Sequence, residues 1–110
     1  MEREINGKIV ETDPEGYLVN LDDWSEELAA ELAKEDNLVL GEEHWKIIHY
    51  MRNYFAENGT APNLRFLQKG LKEEYGGEWG EKKFLFDLFP FGPAKQAGRY
   101  AGTPKPTGCV

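Results

Sequence analysis

Cys109 is the one cysteine of this chain, and it stands next to the C-terminus behind Thr103-Pro104-Lys105-Pro106-Thr107-Gly108. A lone cysteine excludes an intramolecular disulfide and a cysteine-based metal cluster. Free cysteines are usually buried, but a cysteine at a chain end behind a Pro/Gly segment is hard to bury, because termini are the least ordered part of a domain. An exposed thiol is open to oxidation, so its presence in such a place points to use. The chemistry it offers is that of a nucleophilic sulfur, and only the sulfur does covalent work.

The flanking residues fit that use. Pro104 and Pro106 bias the tail toward extended polyproline II, and Gly102 and Gly108 are expected to act as hinges on either side of that stiff piece. Nine residues from Gly102 to Val110 reach roughly 30 Å at full extension. The C-terminal carboxylate disfavours a thiolate at Cys109, whereas Lys105, Arg99 and Lys95 favour it if the arm folds back. A persulfide is more acidic than a thiol, so sulfane sulfur carried there is anionic, and these three cations are the expected cradle. No Cys–His–Asp set, phosphate loop or paired-carboxylate site is present, and neither a metal nor a cofactor is expected. His44 and His49 are five residues apart, about 140° around a helix, and read as structural or surface residues.

The elements that must hold this arm are mostly helical. Ile5 to Val10 carries an Asn-Gly turn signal, and Asp13-Pro14-Glu15-Gly16 turns again before Tyr17-Leu18-Val19, which predicts a small N-terminal β-ribbon. A first helix runs to about Glu35 on an apolar stripe of Leu28, Ala29, Leu32 and Ala33, with Asp22, Asp23 and Ser25 all competent to cap it. Glu42 and Glu43 open a second helix whose Trp45, Ile48, Met51/Arg52 and Phe55 give the rhythm, and Asn58-Gly59 stops it. Pro62 fits the first position of a third helix with Leu64, Leu67, Leu71 and Tyr75 inward. A fourth carries Phe84, Leu85, Leu88 and Phe89, and a fifth follows Gly92-Pro93 to about Tyr100. Trp24, Trp45, Trp79 and most of the phenylalanines read as core. The expected fold is mainly α: a small orthogonal bundle of about five helices with an N-terminal β-hairpin. Residues 1–101 form the helical domain, and 102–110 a flexible C-terminal arm carrying Cys109.

With 110 residues the chain has the length of one domain, and no apolar run approaches a membrane span. Met1-Glu2-Arg3-Glu4 lacks the features of a signal peptide, so a cytoplasmic location is expected. The net charge of −7 opposes general nucleic-acid binding. The acid is concentrated before residue 82, and the last quarter is basic, with Lys82, Lys83, Lys95, Arg99 and Lys105 against Asp87. The second and third helices have helix-turn-helix proportions, which leaves a helix-turn-helix regulatory module as a remote alternative, but Arg65, Lys69 and Lys72 are offset by Glu73 and Glu74, so direct nucleic-acid binding is not expected.

Two runs carry a resemblance. Leu88-Phe89-Pro90-Phe91-Gly92-Pro93-Ala94-Lys95-Gln96-Ala97 and Ala101-Gly102-Thr103-Pro104-Lys105-Pro106-Thr107-Gly108-Cys109-Val110 resemble the helix entry and cysteine tail of the DsrC/TusE sulfur-relay family. Asp13 to Leu18, Asp23-Trp24 and Glu43-His44-Trp45 resemble further family elements, so the likeness covers nearly the whole chain. It implies helices with a small β-ribbon, and a cysteine, Cys109 here, that accepts sulfane sulfur and passes it on. The DsrC branch has a second cysteine eleven residues before the last, where this chain has Gly98. That branch's intramolecular disulfide, and its trisulfide product with sulfite reductase, are therefore out of reach. The segment Tyr75 to Glu81 is closer to the TusE branch, whose members take persulfide sulfur from a TusBCD-like complex and deliver it to the tRNA thiolase that makes wobble 2-thiouridine. The resemblance thus implies an upstream persulfide donor of the TusBCD/DsrEFH kind. Downstream it implies a tRNA thiolase or, as the alternative, a dissimilatory sulfite reductase.

Overall fold

The Asn6-Gly7 pair makes the hairpin turn its type signals. The structure, a computed structural model, describes residues 1–106. Strand β1 (Glu2–Ile5) pairs antiparallel with β2 (Lys8–Glu11), Glu2 opposite Glu11 and Ile5 opposite Lys8. Asn6 and Gly7 take φ of 51° and 79°, the two positive values that a twist-matched two-residue loop requires. A bridge between Thr12 and Leu18 carries the ribbon past the Asp13–Gly16 turn. Two strands alone are marginal, and this pair is held by burying Ile5, Val10 and Leu18 against the helices.

Five α-helices follow among the described residues: α1 (Glu26–Glu35), α2 (Glu42–Asn58), α3 (Leu64–Tyr75), α4 (Lys82–Leu88) and α5 (Pro93–Ala101). Of the three possible caps for α1, Ser25 serves, its hydroxyl accepting the Leu28 N–H at 3.1 Å. Asp22 and Asp23 lie instead in a short 3-10 turn capped by Asn20. Pro62 does not start α3. Asn63 caps it, because its side chain accepts the Phe66 N–H at 3.0 Å and so satisfies an orphan donor. Pro62 stays one residue outside the helix, buried. A 3-10 turn over Gly77–Gly80 joins α3 to α4.

The core is built around α5, which packs against all four other helices. Ala94, Ala97, Gly98 and Ala101 make that possible, since small residues let neighbouring backbones come close. Leu28, Leu32, Ile47, Ile48, Met51, Leu67, Leu71, Leu85, Phe89 and Tyr100 close around it. The large rings depart from the expected core. All three tryptophans are only half-buried, Phe89 alone among the phenylalanines is enclosed, Phe66 and Phe91 are exposed, and Tyr75 is 39% exposed. A domain of this size has too little interior for so many rings. They line the rim with one face covered, as Tyr75 does against Trp79 at 4.5 Å. Among the described residues no helix is long and apolar enough to cross a membrane.

Candidate functional site

The root of the tail is fixed by the end of α5. Gly102 has φ +69° and caps the helix in the left-handed conformation. Its N–H bonds the Arg99 carbonyl at 3.3 Å and the Thr103 N–H bonds the Gly98 carbonyl at 3.1 Å, which is the paired pattern of a Schellman cap. A Cβ on Gly102 would stand 2.5 Å from Cδ1 of Trp24, so glycine is required twice over, by φ and by the close approach. The other last-turn carbonyls are also taken. Trp24 Nε1 donates to the Tyr100 carbonyl at 2.7 Å, and Arg52 Nη1 donates to the Ala101 carbonyl at 2.8 Å. Arg52 lies over the Trp24 ring at 3.9 Å, and desolvation pulls its pKa down.

From Gly102 the chain turns back along the body. Thr103 and Pro106 are buried, while Pro104 and Lys105 face solvent. Pro106 passes over Gly98, where its Cδ is 3.7 Å from the Cβ position and Thr103 Oγ1 is 3.2 Å from it. Thus 102–106, the described part of the expected arm, lies against the helices, and Gly102 is a bonded cap. Gly108 and Cys109 lie outside the described residues.

Beside this root is a cleft of about 310 Å³ lined by Glu15, Tyr17, Phe91, Lys95, Gln96 and Arg99. Two of the three expected cations, Lys95 and Arg99, line it one helical turn apart, and the third, Lys105, reaches its edge through Glu15 at 2.8 Å. That pair is exposed and so worth at most about 1 kcal/mol. The opposite wall is the Asp13–Gly16 turn. Asp13 Oδ1 accepts the N–H groups of Glu15 and Tyr17, and Gly16 sits so close over Arg99 that a Cβ would be 3.0 Å from its Cδ. Tyr17 Oη donates to the Lys95 carbonyl at 3.2 Å, and burial pushes its pKa up to about 12, the Arg99 charge opposing the shift.

Behind the cleft runs a buried polar chain. Gln96 Oε1 accepts the Phe91 N–H at 2.8 Å, and its Nε2 donates to Tyr100 Oη at 2.8 Å. Tyr100 Oη donates to Asp36 Oδ2 at 2.5 Å, and Arg99 Nη2 donates to the same oxygen at 3.0 Å. Burial, and then the bond to Asp36, raise the Tyr100 pKa strongly. Arg99 is thereby held by a carboxylate and faces the cleft with its charge partly matched. Lys95 has no ion pair among the described residues. Asp36, Gln96, Tyr100, Trp24 and Arg52 were missed as site residues. Arg52 carried a usable signal: a cation on the apolar face of α2 needs an acceptor, and the end of α5 supplies it.

The DsrC-like protein family model matches residues 4–110. The chain is 47% identical over 107 residues to the Sulfurtransferase TusE of Sodalis glossinidius, covering 97% of this chain and 99% of that one. The solution structure of Allochromatium vinosum DsrC superposes with a TM-score of 0.91 at 52% identity, covering 100% of both chains. The oxidised DsrC, the γ-subunit of dissimilatory sulfite reductase, from Archaeoglobus fulgidus gives 0.84 at 43% identity, again over 100% of both. A tail root locked onto a bundle of this topology, the full-length match and the cysteine run at 101–110 agree: this chain belongs to the DsrC-like family.

Proposed function

We propose that this chain is a cytoplasmic sulfur carrier that accepts persulfide sulfur on Cys109 and relays it to the enzyme that thiolates the wobble uridine of tRNA. The observation that carries this reading is the pairing of one cysteine, at 109, with glycine at 98. It is supported by curated relatives that bear the name Sulfurtransferase TusE over nearly their full length. In the loading step the Cys109 thiolate attacks the outer sulfur of a donor persulfide. A new S–S bond forms on Cys109, the donor's S–S bond breaks, and the electron pair leaves with the donor thiolate. Sulfane sulfur moves without net oxidation, and an acceptor thiolate that attacks the outer sulfur on Cys109 in the same way unloads it, the electron pair returning to the Cys109 thiolate.

In this proposal residues 1–101 are the body and 102–110 the arm. The Gly102 cap and Pro106 seat set the arm's direction, Pro104 stiffens it, and Gly108 is the pivot. Three residues lead from Pro106 to Cys109, a reach of about 10 Å at most, enough for the sulfur to serve a neighbouring protein or turn back to the cleft. There Lys95, Arg99 and Lys105 stabilise the persulfide anion. The partners are a TusBCD/DsrEFH-like donor and the tRNA thiolase. Incubation with a persulfide donor, followed by intact-mass measurement, should show one added sulfur atom, absent in Cys109→Ser. A parent protein that loads from no donor would end this reading.

A second reading is favoured by the likeness to DsrC structures at 52% and 43% identity: a role beside dissimilatory sulfite reductase. Gly98 weighs against it. Affinity capture with purified sulfite reductase separates the two, since only this second reading expects a complex.

A further inference from the structure

The last turn of α5 is bonded more completely than those of α2 and α3. The final four carbonyls of an α-helix find no partner inside the helix. In α5 all four are taken: Gly98 by the Thr103 N–H, Arg99 by the Gly102 N–H, Tyr100 by Trp24 Nε1 and Ala101 by Arg52 Nη1. Among the described residues α2 has only its Phe55 carbonyl bonded in this way, by Gly59, and α3 only that of Lys72, by Gly76. The helix end with every acceptor filled is the one from which the arm departs.

The two side-chain donors act as one unit. The Arg52 guanidinium lies 3.9 Å from the centre of the Trp24 ring. The same ring meets His49 edge-on, His49 stacks on Trp45, and Cδ1 of Trp24 closes the space over Gly102. Arg52 is unlike the other arginines. Arg3 and Arg99, also half-buried, pair with Glu35 and Asp36, and Arg65 is exposed. Arg52 is half-buried with no carboxylate on it among the described residues, and it rests on a carbonyl and an indole face instead. Burying a charge without a counter-ion is costly, and a neutral amide would suffice to fill one carbonyl. A cation supplies what the amide does not: a charge-assisted bond at the negative end of the helix dipole, together with attraction to the indole face. Building on the relay reading above, we propose that Arg52, acting through Trp24 and the Ala101 carbonyl, is a positioning residue for sulfur transfer that aims the arm into a protein partner's site. A root free to turn would spread the sulfur over more positions and lower its effective concentration at that site. A small reagent meets the sulfur in any of those positions.

The test compares the full-length parent with Arg52→Gln and Arg52→Lys in two loading reactions, one from inorganic polysulfide and one from a persulfidated donor protein of the TusBCD/DsrEFH kind. Arg52→Gln should load from polysulfide at the parent's rate and from the protein about ten-fold more slowly. Arg52→Lys keeps a cation over the indole and a donor for the carbonyl, and should recover most of that loss. Asn63→Ala removes the cap of α3 and none of the four bonds at the end of α5, so it controls for lost stability and should load from both at the parent's rates. Amide exchange at Gly102 and Thr103 should be about ten-fold faster in Arg52→Gln than in the parent. Should Arg52→Gln not fold, Trp24→Phe, which keeps a ring and loses the bond to the Tyr100 carbonyl, is expected to show the same split between the two donors. An unslowed protein reaction, polysulfide loading that slows equally, an equal loss in Asn63→Ala, or no recovery in Arg52→Lys would overturn the proposal. If polysulfide does not load even the parent, the Cys109 reading fails, and exchange at Gly102 and Thr103 still decides whether Arg52 holds the root: unchanged exchange sinks it.

Discussion

Pro106 lies directly over Gly98, its Cδ 3.7 Å from where a β-carbon at 98 would stand. The tail therefore leaves the body across the position that distinguishes the one-cysteine from the two-cysteine pattern. Gly98→Cys places a thiol under Pro106, from which three residues, about 10 Å of chain, lead to Cys109. Thr103 Oγ1 at 3.2 Å and Met51 Cε at 3.4 Å must yield slightly, at an overpacking cost of about 1 kcal/mol. On oxidation this variant should lose both thiols to alkylation independently of protein concentration. The parent should form only concentration-dependent dimers.

Gly102→Ala should be among the most damaging single changes at the end of α5. It combines a left-handed φ with a 2.5 Å approach to Trp24, and a loss of about 2 kcal/mol or more is expected from the strain and the displaced ring. Gly77→Ala is the matched control, with nothing within 4 Å of its Cβ position. Urea denaturation of both compares them directly. Equal midpoints would mean that the cap does not fix the tail root.

Stability should fall in alkali. Tyr17 is raised from 10.0 to about 12 in the folded chain, and Tyr100 is raised as well. A group whose folded pKa is raised contributes stability that is fully present below its unfolded value. Between pH 10 and about 12 the unfolded chain loses the Tyr17 proton while the folded chain keeps it, so unfolding becomes easier across that window. Tyr17→Phe should flatten the alkaline limb of the denaturation midpoint, while lowering the plateau slightly through the lost bond to the Lys95 carbonyl.

The cradle proposed for the anionic sulfur makes Lys105 and Lys95 matter for reactivity and not for folding. Lys105→Gln removes an exposed ion pair with Glu15 and should change stability by less than about 1 kcal/mol. The double variant with Lys95→Gln should raise the pH at which Cys109 alkylates at half its maximal rate, because two cations that favour the thiolate are gone. An unmoved pH–rate profile would separate these lysines from the sulfur.

Asp36→Asn tests the polar chain behind the cleft. It leaves Arg99 without its carboxylate and weakens the bond from Tyr100, so a loss of about 1–3 kcal/mol is expected. The Tyr100 ionisation followed by ultraviolet absorbance should move down, since one of the causes that hold it up is removed.

The amino-acid sequence alone determined what is local. Apolar spacing, caps and stop signals act within a turn or two, so the five helices, the Asn6-Gly7 hairpin and the Asn58-Gly59 stop were all legible. Only the tertiary structure decided how the tail is rooted. Asp36 meets Arg99 and Tyr100 across 63 and 64 residues of chain, and Trp24 meets the Tyr100 carbonyl across 76. No short-range pattern encodes such pairs. Gly102 shows the difference in one residue. Glycine near a helix end is readable as freedom or as a cap, and what makes it a cap here is an indole ring that arrives from the other end of the chain.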